Sequence, residues 1–137
     1  FGAYTNTKGD TVVNILRKLN RGACPSYIVS NSPEGTCKAD TYAFIIYNQD
    51  YNDHPRQCSG TSHFCHRLFL CPLFWASPTR GQDSKLGTII HELTHGYAYT
   101  KDHKYGKKAC LSLVNQDPVK ALENADNYEY YCEELIN

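Results

Sequence analysis

The sequence predicts a helix-rich α+β domain in which helices pack against a small antiparallel sheet. Two short stretches, residues 42–47 and 66–70, are rich in the β-branched and aromatic side chains that favour strands. Segments with apolar residues at helical spacing precede and follow these strands. A chain of 137 residues is long enough to bury the core of one domain, so we expect residues 1–137 to form a single unit.

The first half of the chain predicts one helix, two loops and the two strands. Asp10 is a suitable N-cap for a helix that continues to about Gly22, where glycine favours an end. Residues 23–40 contain two prolines, a glycine, three Ser and one Asn, which predicts a loop. Residues 48–64 are polar as well, and we expect a second loop between the strands.

The second half predicts a central helix followed by one or two C-terminal helices. Asp83 and Ser84 offer N-caps for the central helix, and Gly96 predicts its end. Its apolar face comprises Leu86, Ile89, Ile90, Leu93 and Ala98. Asp117 and Pro118 have the residue types of an N-cap and a first helical position.

The central helix carries the most informative motif, His91-Glu92-Leu93-Thr94-His95. Residues four apart lie on one face of a helix, so the two imidazoles can bind one metal ion. Glu92 lies beside them and can accept a proton from a water molecule in an open coordination position. This pattern is typical of zinc proteases, and a chance match on an amphipathic helix is the alternative.

A catalytic zinc ion usually has three protein ligands, so a further ligand is required. One protease pattern places Gly and His three and six residues after the second histidine, but Ala98 and Lys101 occupy those positions and exclude it. A glutamate from a later helix is a second option, with the candidates Glu123, Glu129, Glu133 and Glu134. Asp102 is the third option, and His103 beside it is a rival.

Several motifs together resemble the aspzincins, the deuterolysin-type zinc endopeptidases. The histidine motif is followed at residues 100–106 by Thr-x-Asp-x-x-Tyr-Gly, which is the family's arrangement for an aspartate ligand. Four other segments also resemble the family, at residues 1–5, 70–75, 83–90 and 124–131. The resemblance therefore extends over the whole chain, and it is strongest to the lysine-specific members.

The resemblance implies a zincin-like fold, with the active-site helix under the sheet, and a role for each motif residue. One zinc ion would be held by His91, His95 and Asp102, and Glu92 would be the general base. Tyr105 would donate a hydrogen bond to the oxyanion that forms during hydrolysis.

Two features depart from the family pattern. Tyr99 occupies a position at which the family usually has glycine. The segment from His95 to Asp102 is also shorter than we expect for the lysine-specific members.

Two acidic residues of the last helix carry a prediction about the substrate. Asp126 and Glu129 are three residues apart and so share a helix face. In lysine-specific aspzincins, acidic residues at the matching positions line the pocket for the side chain after the cut. Two partly enclosed carboxylates attract an ammonium group, which implies cleavage on the amino side of lysine. A solvated acidic face that includes Glu133 and Glu134 is the alternative.

Seven cysteines in so short a chain indicate an oxidising compartment, so we expect secretion and disulfide bonds. Spacing alone leaves the pairing open. The family resemblance favours a Cys37–Cys71 bond, and Cys58 with Cys65 is a candidate for a local loop. A structural zinc site is a weaker alternative, with Cys58, His63, Cys65, His66 and Cys71 as its ligands.

Composition limits the classes of partner. Lys plus Arg and Asp plus Glu both number 14, so net charge predicts no affinity for nucleic acids or membrane surfaces. No apolar run approaches the length of a membrane span. The chain contains no Met, so we expect Phe1 to follow a segment that is absent here. We expect peptides or proteins as substrates, no nucleic-acid or membrane partner, and a monomer.

Two other functional classes remain open from the sequence. One is a zinc hydrolase of a substrate other than a peptide, because water activation by zinc does not depend on the substrate. The other is a secreted binding or effector protein that keeps a zincin fold without activity, against which the intact Glu92 argues.

Overall fold

The computed structural model describes residues 1, 5–22, 26–29, 37–46 and 66–136. These residues form α1 (Asn6–Gly22), β1 (Ser26–Val29), β2 (Ala43–Ile46), β3 (Arg67–Leu70), α2 (Pro72–Ala76), α3 (Lys85–Ala98), α4 (Lys107–Gln116), α5 (Pro118–Glu123) and α6 (Ala125–Ile136). The predicted helix-rich α+β class is confirmed. In these segments no helix is both long and apolar enough to cross a membrane.

Within the described residues the sheet contains three strands in the order β1-β3-β2. β2 and β3 are antiparallel, as the sequence predicts, and align Phe44 with Phe69, whose rings stack at 4.6 Å. β1 pairs with β3 in parallel and lies inside the segment 23–40 that the sequence predicts to be a loop. That loop prediction is wrong for Ser26–Val29, because pairing with β3 stabilises a strand too short to stand out among loop-forming neighbours.

Helix α1 begins at Asn6, before the predicted cap Asp10. The Thr5 hydroxyl oxygen accepts a hydrogen bond from the backbone N–H of Lys8 at 3.2 Å, as an N-cap side chain does. Thr5 is therefore the N-cap, and the assignment to Asp10 is wrong. The predicted end at Gly22 agrees with the structure.

Helix α3 is the central element of the fold. It packs against α6, α1 and β2. The apolar core between α3 and the sheet contains the buried residues Ala43, Ile45, Leu68, Leu70, Phe74 and Tyr97, with Leu19, Ile89 and Leu93 packed against it. The predicted placement of the motif helix beneath the sheet is therefore found in the structure.

The end of α3 differs from the prediction. The helix continues past Gly96 to Ala98, and Tyr99 adopts the left-handed conformation that ends it (φ 59°, ψ 34°). Glycine adopts this left-handed conformation with less strain than other residues. This explains why the family usually has glycine at the position of Tyr99. Gly96 instead allows the helix to approach the sheet, because a Cβ atom there would lie 2.6 Å from Cδ1 of Ile45.

The start of α3 is fixed by a carboxylate from α6. The predicted cap Ser84 accepts a hydrogen bond from the N–H of Gly87 at 3.0 Å. Oε1 of Glu133 in turn accepts hydrogen bonds from the backbone N–H and the hydroxyl of Ser84, at 2.8 and 2.7 Å. A buried negative charge at a helix N-terminus is stabilised by the helix dipole.

One disulfide bond joins Cys37, which precedes β2, to Cys71 at the end of β3. This is the pairing that the family resemblance implies, and it makes Cys71 unavailable to the alternative zinc site. The suggested pair Cys58 and Cys65 lies outside the described residues. The described part of the chain contains two free thiols, those of Cys110 and Cys132.

We expect Gly87→Ala to destabilise the protein although alanine favours helices. A Cβ atom at Gly87 would lie 2.7 Å from Cδ of Glu133, so the carboxylate must leave Ser84. Loss of this contact outweighs the gain in helix propensity of about 1 kcal/mol, and the free energy of unfolding should fall by about 1–2 kcal/mol. Urea denaturation measures the change.

A double-mutant cycle provides the control. In a Glu133→Ala background the collision is absent, so adding Gly87→Ala should cost less than it does in the wild type. If Gly87→Ala were as stable as the wild type or more stable, Glu133 would not lie close to Gly87.

Candidate active site

Helix α3 directs two imidazoles to one point. The Nε2 atoms of His91 and His95 lie 3.0 Å apart, and the rings meet edge to face. Both residues are buried in the protein, yet they line a cleft of about 800 Å³ between β2, α3 and the segment that follows α3. The helical spacing thus produces the convergence that the motif predicts.

Asp102 adds a third candidate ligand atom to the two imidazole nitrogens. Its Oδ1 lies 3.2 Å from Nε2 of His91 and 3.1 Å from Nε2 of His95. Tetrahedral zinc with bonds of about 2.0–2.2 Å places its ligand atoms about 3.3–3.5 Å apart, so movements of a few tenths of an ångström suffice. Two imidazole nitrogens and one carboxylate oxygen are ligands that zinc accepts. The residues present therefore fit a zinc ion.

The rival ligand His103 faces away from this group. Its Nε2 lies 3.4 Å from Oε2 of Glu123, and its backbone N–H donates to the side chain of Asn124 at 2.8 Å. The structure therefore brings Asp102, and not His103, to the two histidines of α3.

Three of the four glutamates considered as ligands bond elsewhere. Glu123 pairs with Lys101 at 3.1 Å, and Glu134 pairs with Lys107 at 2.7 Å. Glu133 caps α3 as described above. The fourth, Glu129, lies near His91 but contacts a different ring nitrogen.

The second ring nitrogen of each histidine has an oxygen partner. Nδ1 of His91 lies 2.8 Å from Oδ1 of Asp126 and 3.2 Å from Oε2 of Glu129. Nδ1 of His95 lies 2.8 Å from the carbonyl oxygen of Thr100. Metal-binding imidazoles usually donate this N–H to an oxygen, which leaves the Nε2 lone pair for the metal. His91, Asp126 and Glu129 also lie close enough to form a metal group, but we interpret the two carboxylates as support for His91.

Two threonines reverse the chain directly after the helix. The Thr94 hydroxyl contacts the Thr100 hydroxyl at 2.7 Å, and the N–H of Thr100 donates to the Thr94 carbonyl at 3.3 Å. Thr94 is fully buried inside the histidine motif. These contacts explain how a short segment reaches from His95 to Asp102. The motif pattern treats Thr94 as variable, so the sequence did not point to it.

Glu92 lies on the wall of the cleft and is buried. Burial raises the pKa of its carboxyl group, while the neighbouring histidines and a hydrogen bond from the backbone of Ile45 act in the opposite direction. A carboxylate whose pKa is raised is a better proton acceptor than a solvated one.

The charges at the site favour a bound cation. Burial lowers the pKa of His91, but hydrogen bonds to three carboxylates outweigh it and raise the pKa to about 12; these are Asp102, Asp126 and Glu129. Burial raises the pKa of Asp102, and hydrogen bonds from both histidines hold it well below its usual range. In the absence of metal the carboxylates therefore favour the protonated form of His91, and metal binding has to displace that proton.

Tyr105 stands at the mouth of the cleft with 67% of its surface exposed. Its ring lies nearly parallel to that of His91, with centroids 6.4 Å apart. Burial and the charge of Asp102 raise the pKa of the phenol, so it stays a neutral hydrogen-bond donor.

Asp126 and Glu129 lie on one face of α6 and line the same cleft. Both are buried, which differs from the solvated acidic face considered as an alternative. Oδ2 of Asp126 also accepts a hydrogen bond from the N–H of Gly106 at 2.7 Å. The sequence did not predict these contacts with His91 and Gly106, because they join residues that are distant in the chain.

A helix with this motif beneath a small sheet is typical of zinc metallopeptidases, and comparisons with known proteins agree. The aspzincin family, described as lysine-specific metallo-endopeptidase, matches residues 1–133. The chain therefore belongs to the aspzincin family, as the resemblance predicted.

Individual relatives cover nearly the whole chain. A peptidyl-Lys metalloendopeptidase from Grifola frondosa is 37% identical over 136 residues, which are 97% of this chain and 34% of the relative. An extracellular protease from Aeromonas hydrophila is 34% identical over 138 residues, again 97% of this chain and 34% of the relative. The chain thus spans about a third of the length of these two relatives.

A solved structure supports the fold. The zinc peptidase from Grifola frondosa superposes with a TM-score of 0.76 at 33% identity, covering 99% of this chain and 74% of that chain.

Asp102→Ala and His103→Ala separate the two rival ligands. Removing a ligand leaves two imidazoles, so we expect Asp102→Ala to lose zinc during dialysis against a weak chelator. His103→Ala should retain about one zinc ion per chain, because its ring faces Glu123. Atomic absorption measures the zinc content, and the reverse result would make His103 the ligand.

Proposed function

We propose that this chain is the catalytic domain of a zinc-dependent endopeptidase. The observation that carries the proposal is the convergence of His91, His95 and Asp102 in one cleft, with Glu92 beside them. When bound there, zinc would lower the pKa of a water molecule and polarise a carbonyl group. Membership of a family of metallo-endopeptidases supports the same function.

The sheet next to the cleft suits an extended peptide. β2 is the last strand in the described sheet, and its residues 43–45 line the cleft. An extended chain can add to such an edge through main-chain hydrogen bonds. We expect a substrate peptide to lie along β2 with the bond to be cut over Glu92. This placement favours a peptide over other substrates of zinc hydrolases.

Glu92 and Tyr105 supply the proton and hydrogen-bond chemistry. Glu92 takes a proton from the attacking water and delivers it to the departing amine, for which its raised pKa is suited. The Tyr105 hydroxyl, whose raised pKa keeps it protonated, donates to the oxygen on which negative charge develops. Because the charge is greater in the transition state than in the peptide, this hydrogen bond accelerates the reaction.

We also propose that the side chain after the cut is lysine. Asp126 and Glu129 are buried carboxylates at the cleft, and burial is the main cause of the raised pKa of Glu129. An ammonium group entering this region would stabilise their charges in a setting with little water. The Grifola frondosa relative, named a peptidyl-Lys metalloendopeptidase, supports this preference.

The setting of the reaction is part of the proposal. A disulfide bond such as Cys37–Cys71 is typical of oxidising compartments, and one relative is named an extracellular protease, so we propose that the protein is secreted. Equal numbers of acidic and basic residues support an enzyme without nucleic-acid or membrane-surface partners. We propose that it acts on peptides or proteins, and as a monomer.

Digestion of a denatured protein mixture, with cut sites mapped by mass spectrometry, tests the reaction. We expect cleavage that a chelator abolishes, and a loss of about 10²–10⁴-fold in rate for Glu92→Gln, because the general base is removed. Glu134→Gln is the matched control, since it makes the same chemical change at an exposed ion pair with Lys107.

The negative outcomes identify the alternatives. Chelator-sensitive hydrolysis of esters or other compounds without peptide cleavage would indicate a different zinc hydrolase. Zinc binding without any hydrolysis would indicate a binding protein on a zincin fold.

Glu129→Gln tests the lysine preference. We expect the ratio of kcat/KM for a peptide with lysine after the cut to that for its norleucine analogue to fall by about 10–100-fold, since one negative charge is lost. The ratio is the useful measure, because any effect through His91 lowers both rates together. An unchanged ratio would reject the proposed pocket while leaving the endopeptidase intact.

A further inference from the structure

We infer that Asn124 is a positioning residue that fixes Asp102 and Tyr105 at the site through the backbone between them. The inference rests on the proposed zinc site. Asn124 lies between α5 and α6, and no part of it is exposed to solvent. The segment that it holds contains both of the functional side chains that do not come from α3 or α6.

The amide group of Asn124 binds the segment directly after Asp102. Its Oδ1 accepts hydrogen bonds from the backbone N–H groups of His103 at 2.8 Å and Lys104 at 2.9 Å. Its Nδ2 donates to the carbonyl oxygen of Lys104 at 3.0 Å. Three backbone groups of two successive residues therefore depend on one side chain.

The backbone on the other side of Asp102 is held at the same place. The N–H of Lys101 donates to the carbonyl of Glu123 at 2.7 Å, and the N–H of Ala125 donates to the carbonyl of Lys101 at 3.0 Å. Lys101 and Asn124 thus form a parallel bridge. Asp102 is consequently clamped on both sides to residues 123–125, and a shift of its carboxylate requires these hydrogen bonds to break.

The conformation of Asn124 explains why the side chain is available for this purpose. α5 ends at Glu123, and Asn124 has extended backbone angles (φ −88°, ψ 123°) before α6 begins at Ala125. Further hydrogen bonds orient its amide, at 2.9 Å to Oδ1 of Asn127 and 3.4 Å to Sγ of Cys110. Buried backbone groups need partners, and an amide offers an acceptor and a donor on one short side chain.

The short return from α3 increases the importance of this clamp. Between His95 and Asp102 the segment is fixed at its start by Thr94 and Thr100, and near its end by residues 123–125. The Asp102 oxygen must stay within a few tenths of an ångström of a productive position for three ligands to bind one ion. Loss of residues that orient a metal ligand typically weakens metal affinity by about 10–100-fold.

The experiment measures zinc affinity and stability separately. Wild-type protein, Asn124→Ala and the control Asn115→Ala, an exposed asparagine of α4, are stripped of metal and titrated with zinc against a chromophoric chelator. The melting temperature of each metal-free protein is measured in parallel. We expect Asn124→Ala to bind zinc about 10–100-fold more weakly, and Asn115→Ala to match the wild type.

Asn124→Asp provides a second variant in case the alanine variant does not fold. It preserves the volume and the acceptor oxygen but removes the donor to Lys104, so zinc affinity should again fall. A purely structural role would lower the metal-free melting temperature and leave the dissociation constant for zinc unchanged. Wild-type affinity in either folded variant would therefore overturn the inference. Failure of the wild-type protein to bind zinc would instead reject the proposed site, and the inference with it.

Discussion

The arrangement of this site depends on the attachment of one short segment to the junction between α5 and α6. The two histidines are held by the rigid backbone of α3, but Asp102 lies outside regular secondary structure and has no such support. Its position comes from the bridge between Lys101 and Asn124 and from the amide of Asn124. The same end of α6 continues with Asp126, which bonds to His91 and to Gly106. The start of α6 thus positions two of the three expected zinc ligands, Asp102 on the segment after α3 and His91 on α3.

Electrostatics and packing support each other around this point. Buried carboxylates from α3 and α6, together with the more exposed carboxylate of Asp102, surround two imidazoles, an arrangement that is costly unless positive charge lies among them. A divalent cation satisfies this requirement and explains why each imidazole directs Nε2 to the shared point and Nδ1 to an oxygen. Glu133 extends the pattern to the start of α3, where a carboxylate from α6 fixes the helix that bears the motif. Packing of α6 against α3 therefore positions the groups that the chemistry needs.

Local patterns in the sequence predicted the features that depend on residues close together in the chain. The spacing within α3, the cap at Ser84 and the helix start at Asp117 follow from residues within one or two turns of each other. The family resemblance added Asp102 and Tyr105. Contacts between distant residues were not predictable in this way. β1 is a strand because it pairs with β3, and position 96 requires glycine because Ile45 lies close to it. Asn124 belongs to the same group, because a buried amide between two helices has no distinctive spacing in the sequence.

The proposed function requires that two imidazoles of α3 and the carboxylate of Asp102 bind one zinc ion. X-ray absorption spectroscopy of the protein loaded with one equivalent of zinc tests it most directly. The structure predicts a first shell of nitrogen and oxygen at about 2.0–2.2 Å, with outer-shell scattering from two imidazoles and no sulfur. A sulfur ligand at about 2.3 Å would place the ion at a cysteine, and scattering from three imidazoles would bring His103 into the shell. Either result would contradict the account.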